Sequence, residues 1–95
     1  MHAVIATSKV DASVLDPEHK VLREQLIPAV KAMPGVVTAY WLEPTEDLQG
    51  VAVVVFDAEE SARKAVSALH VEVGSSIAPG ITFTGVQVGE VIGHF

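Results

Sequence analysis

The sequence predicts an α+β, ferredoxin-like fold: a four-stranded antiparallel sheet with two helices on one face, in the order β-α-β-β-α-β. Three observations predict it. Short β-branched runs alternate with two segments of helical apolar spacing, and the second and third runs flank a polar turn in the manner of a hairpin. The third run, GVAVVVFD from Gly50 to Asp57, is apolar at every position from Val51 to Phe56. A strand with one wet face alternates apolar and polar side chains, so this run predicts a sheet covered on both faces. Two helices cover one face. A second copy of the chain is predicted to cover the other, because apolar surface left wet costs about 25 cal/mol per Å² against a marginal total stability.

Each element has its own signal. His2 to Lys9 is short, apolar and β-branched, and reads as the first strand. Asp16-Pro17 predicts a helix start, with Asp as N-cap and Pro at the first helical position. Apolar residues at Leu22, Leu26, Ala29, Val30 and Met33 then make one buried stripe. Pro28, inside that stripe, lacks an N–H and predicts a kink or a split; Pro34-Gly35 ends the helix. Val36 to Glu43 is the second strand, and Pro44 to Gly50 the turn into the third. Asp57-Ala-Glu-Glu60 resembles a capping box, opening a second helix whose stripe is Ala62, Ala65, Val66 and Leu69. His70 to Gly80 carries no decided element. Ile81 to Phe95 reads as a long last strand, in which Gly85, Gly89 and Gly93 predict a bulge or a close backbone approach.

Right-handed crossovers place the third strand between the first and second, and the first between the third and fourth. This topology also predicts that His2 lies beside His94 near a sheet edge, either as two surface histidines that repel weakly when both are protonated or as an adventitious transition-metal site.

At 95 residues the chain is expected to be a single domain, 1–95, with a modest core of its own. Its 49% hydrophobic content is high for so small a domain and favours a homodimer. A formal net charge of -6 disfavours nucleic acid and anionic membrane as partners. The absence of cysteine removes disulfide and thiolate chemistry. The start MHAVIATSKVDAS has neither the basic nor the long apolar region of a signal peptide, and no apolar run approaches the roughly 20 residues of a membrane span. The expected location is cytoplasmic.

Candidate site residues are few. Tyr40 and Trp41 are adjacent on a strand and so point to opposite faces, each either packed in a core or interface or lining a ligand cavity. His70, just after the second helix, is either a C-terminal cap or a ligand-binding residue. His70-Val-Glu72 offers two metal ligands without a third, so no metal site is assigned. There is no Ser-His-Asp arrangement, no phosphate-cradling glycine loop and no HExxH motif.

The segments MPGVVTAYWLEP, GVAVVVFD, DAEESARKAV and VQVGEVIGHF together resemble the dimeric α/β-barrel superfamily, and within it the antibiotic-biosynthesis-monooxygenase-like (ABM) members. The resemblance covers nearly the whole chain. It implies a barrel formed sheet to sheet between two protomers. It also implies activities that range from cofactor-free oxidation of polyketide phenols to haem degradation. The Asn on which those activities rely has no counterpart, since the chain contains no asparagine. Trp41 lies on the second strand rather than at the catalytic position, and His70 stands where the haem ligand of the relatives would lie. No activity and no cofactor are therefore carried over. The expected function is binding of a small apolar or aromatic molecule between sheet and helices, with Tyr40, Trp41 and His70 as candidate ligand contacts. A cofactor-independent monooxygenase acting on an aromatic or polyketide-like substrate, and a non-catalytic structural dimer, are the alternatives.

Overall fold

A computed structural model describes residues 1–10, 22–42, 49–68 and 81–95. Four strands form one sheet: β1 (His2–Val10), β2 (Val36–Leu42), β3 (Gln49–Phe56) and β4 (Ile81–Glu90). Their order is β2-β3-β1-β4, with every neighbouring pair antiparallel, as the crossover argument expects. The first helical segment is a π-helical turn, Leu22–Leu26, running into α1 (Ile27–Lys31); the second is α2 (Glu59–Ala68). The Asp16-Pro17 start, the turn between β2 and β3, Leu69 and the segment from His70 to Gly80 lie outside the described residues.

Pro28 splits its helix as its chemistry requires. It sits in the first turn of α1, where a missing N–H costs little, and the wider π turn precedes it. The π turn also changes the phase of the stripe. Val30 is buried and Leu26 and Met33 are half-buried, whereas Ala29, expected on the same face, is exposed.

Gly35 closes this segment at φ +80°, a backbone conformation that a Cβ disfavours. Its carbonyl accepts the Asp57 N–H at 2.8 Å, which ties the turn to the start of α2. A Cβ there would lie 2.6 Å from both Asp57 Oδ1 and Ser61 Oγ. Gly35→Ala is therefore expected to destabilise the protein by about 2–3 kcal/mol, seen as a lower urea midpoint with an unchanged slope.

The capping box takes a different form from the one expected. Asp57 Oδ1 accepts the Ser61 hydroxyl at 3.1 Å, and Glu60 pairs forward with Lys64 Nζ at 3.0 Å instead of reaching back.

Two bulges decide which side chains face the helices. In β2 the pairing passes from Val36↔Phe56 to Thr38↔Val55, leaving Val37 as an extra residue. In β4 it passes from Gly85↔Thr7 to Phe83↔Ser8, leaving Thr84 extra, with its hydroxyl 3.0 Å from that of Thr7. Gly85 adjoins the bulge the sequence predicts, and it is a side chain that comes close there instead of a backbone: a Cβ would meet Thr7 Oγ1 at 2.8 Å. Among the described residues, Gly89 and Gly93 make no close approach.

β4 ends at Glu90, five residues short of the expected Phe95. β1 begins at His2, so beyond the Val91 N–H, which donates to Met1 O at 2.9 Å, no strand remains beside it. The residue facing His2 is thus Glu90, not His94. Among the described residues no cluster of three metal-ligating side chains occurs.

The core lies between the helices and one sheet face. Val4, Phe56, Ala62 and Ala65 form its centre, with Ala6 and Phe83 as a neighbouring cluster. The opposite face carries Val51, Val53 and Val55, which alternate with the inward residues of β3. Ile5, Tyr40 and Leu42 share that outer face by register and are 38%, 62% and 56% exposed.

Candidate functional site

An apolar cleft opens between the sheet and the helices, and the sheet register explains why. Across its middle runs a row of paired residues: Trp41 on β2, Ala52 on β3, Ala6 on β1 and Val86 on β4. Two alanines side by side leave a dip flanked by larger side chains. Val4, Val54 and Phe56 continue the floor towards α2, and Phe83 closes the β4 side. The β4 bulge places Phe83 there. Without the extra Thr84, the alternation that sends Gly85 outward would send Phe83 outward as well.

The helices supply the roof. Leu26 comes from the π turn, Val30 from α1 and Met33 from the turn that follows; Ala65 and Val66 come from α2. Ala62, fully buried, lets α2 approach the sheet closely. The cleft has a volume of about 80 Å³ and is half open to solvent. All lining residues among those described are apolar, with the Trp41 indole N–H their single side-chain hydrogen-bonding group.

The charged groups among the described residues sit elsewhere. On α2, Glu59 pairs with Arg63 at 2.8 Å, and Glu60 with Lys64. Such exposed pairs contribute little to stability. His2 Nε2 lies 3.7 Å from Glu59 Oε2, and its Nδ1 is buried with no hydrogen-bond partner among the described residues. None of these groups lines the cleft.

Of the sequence-nominated residues, Trp41 lines the cleft, and its neighbour Tyr40 lies on the opposite face with the β3 valines. His70 lies outside the described residues. Sequence reasoning passed over Ala6, Ala52, Leu26 and Phe83. Two signals for them existed: Ala52 interrupts the valine run, and the apolar parity of β4 switches between Phe83 and Val86 across Gly85.

The structure of an arginine-to-serine mutant of MhuD, solved with two manganese protoporphyrin IX molecules bound per active site, matches this chain with a TM-score of 0.72. The match covers 100% of this chain and 98% of that one. This chain shares the fold of MhuD. Sequence identity to MhuD is 19%, so the likeness is one of fold. No family model and no curated protein matches the sequence. Within this fold, the cleft occupies the space between sheet and helices, and the valine face is the other side of the same sheet. Among the described residues, no helix is long and apolar enough to cross a membrane.

Proposed function

We propose that this protein is a homodimer of single-domain protomers, paired through the outer sheet face, that binds a small apolar molecule in the cleft between sheet and helices. The observation that carries the reading is the Ala6–Ala52 dip, roofed by two helical segments and walled by Trp41 and Phe83. A packed structural module has no reason to leave such a space, since filling it would add dispersion contacts. Trp41 contacts the ligand, Tyr40 belongs to the dimer face, and His70, two residues beyond the end of α2, is the candidate polar contact.

Binding is favoured over monooxygenation because no described lining residue is an acid, a base or a nucleophile. Among the described walls there is no cation for the carboxylates of a porphyrin such as MhuD binds, and the Met33 thioether is the one candidate metal ligand.

Trp41 is the one tryptophan of the chain, so its fluorescence reports on the cleft without labelling. A panel of small planar aromatics is expected to give a saturable change. Ala52→Leu, which fills the dip, is expected to abolish it, and His70→Ala to weaken it several-fold, with the fold retained in both. No saturable response across the panel would remove the binding reading and leave a structural dimer.

A further inference from the structure

We propose that the two protomers pack with β2 of one over β4 of the other, and that Tyr40 fits against the partner's Gly89. The proposal rests on the homodimer reading above and gives its interface an orientation. The outer sheet face is a wedge. By register, β2 presents Thr38, Tyr40 and Leu42 there, while β4 presents Gly85, Gln87 and Gly89, with residues of intermediate size between them. Tyr40 and Leu42 stand exposed at the thick edge.

For sheets packed with their strands aligned, a two-fold axis joins two such faces in one of two ways. An axis across the strands lays β2 on β2 and β4 on β4, so the thick edges meet and the thin edges gape. An axis along the strands lays β2 on the partner's β4, and thick meets thin across the whole face. The second arrangement leaves no gap, and each row gains its dispersion contacts.

Gly89 supports it independently, because nothing described within the protomer accounts for a glycine there. Among the described residues Gly35 alone has a positive φ, and a Cβ at Gly89 would meet no atom within 4 Å. Glycine weakens a strand and marks close approach by another group; here that group comes from outside the protomer. The Gly85 end of the edge is already filled by the Thr7 and Thr84 hydroxyls, which leaves Gly89 as the open end.

The polar groups match as well. Tyr40 and Gln87 stand at opposite ends of one row, Tyr40–Val53–Ile5–Gln87. Rotation about an axis along the strands brings Tyr40 to the partner's Gln87. A covered phenol and a covered amide each need a hydrogen-bond partner, and in this arrangement each supplies the other's.

Sedimentation equilibrium of Gly89→Leu, Tyr40→Ala and the double variant, beside the unaltered protein, tests this. Gly89→Leu is expected to weaken the dimer by about 100-fold or more, since symmetry places the overpacking twice in one interface. Far-UV circular dichroism should show its protomer folded. In the double variant the leucine fills the space that the tyrosine leaves. Its loss should therefore be at least about 10-fold smaller than the product of the two single losses. Should Gly89→Leu not fold, Gln87→Trp narrows the same edge from an exposed position and is held to the same result. Gly89→Leu dimerising as tightly as the unaltered protein, or single losses that simply multiply, would overturn this orientation and leave the homodimer reading standing. A folded monomer of the unaltered protein would overturn the homodimer reading itself.

Discussion

Replacing Phe56 by alanine is expected to cost about 3–5 kcal/mol of folding free energy. Phe56 is 1% exposed, the largest fully buried side chain among the described residues. It ends β3, pairs across the sheet with His2 on β1 and with Val36 on β2, and packs in the cluster with Val4, Ala62 and Ala65. Truncation removes the transfer free energy of the ring and leaves a cavity that three elements cannot all collapse to fill. At roughly 0.05–0.15 kcal/mol per residue, a domain of 95 residues has about 5–14 kcal/mol in all. The urea midpoint should therefore fall by about a fifth or more, and by most of its value if the total lies at the low end. Phe56 also lines the cleft, so toluene should stabilise the variant more than the unaltered protein, through binding to the enlarged space. A midpoint within experimental error of the unaltered protein would show that Phe56 is not the anchor of this core.

Val53→Asp is the second large effect, and it acts on the other face. The row through Val53 runs from Tyr40 on β2 to Ile5 and then Gln87 on β1 and β4. In the proposed dimer that row is covered by the partner sheet, and symmetry places two aspartates in one interface. An unpaired buried charge costs about 3–5 kcal/mol, or roughly two to four decades of dissociation constant. The expected result is a monomer, or an unfolded chain, at concentrations where the unaltered protein is dimeric. Val54→Asp makes the comparison informative. Val54 faces the cleft, so its aspartate should unfold the protomer under all conditions, without a folded monomer as an intermediate stage. Sedimentation velocity with circular dichroism separates the two outcomes. Equal mass and equal stability for Val53→Asp and the unaltered protein would show that the outer face is not an interface.

The strand order, both helices and the Pro28 split were legible in the sequence because each rests on local chemistry: alternation, helical apolar spacing and a missing N–H. The unbroken apolar run of β3 carried most of the topology, since it marked a central strand with two faces to cover. The bulges were not legible in the same way. One extra residue, Val37 or Thr84, reverses every side chain beyond it, and only the partner strand reveals the reversal. Phe83 was assigned no place in the site for that reason. The end of β4 was misjudged because a strand needs a neighbour, and β1 supplies none past its own beginning. The cleft itself arises from what is missing: Ala6 and Ala52 are small and lie side by side only after two distant strands pair. Trp41 was singled out as an aromatic on a strand, but its role as a wall follows from its pairing with Ala52.

The central claim is that one sheet serves two purposes, with a ligand cleft on the helix face and a second protomer on the face of Val51, Val53 and Val55. Sedimentation equilibrium of the unaltered protein at micromolar concentration tests it most directly. The account predicts a single species of twice the chain mass. A well-folded, stable species of one chain mass would contradict it, because the valine face would then be exposed to water with nothing to cover it.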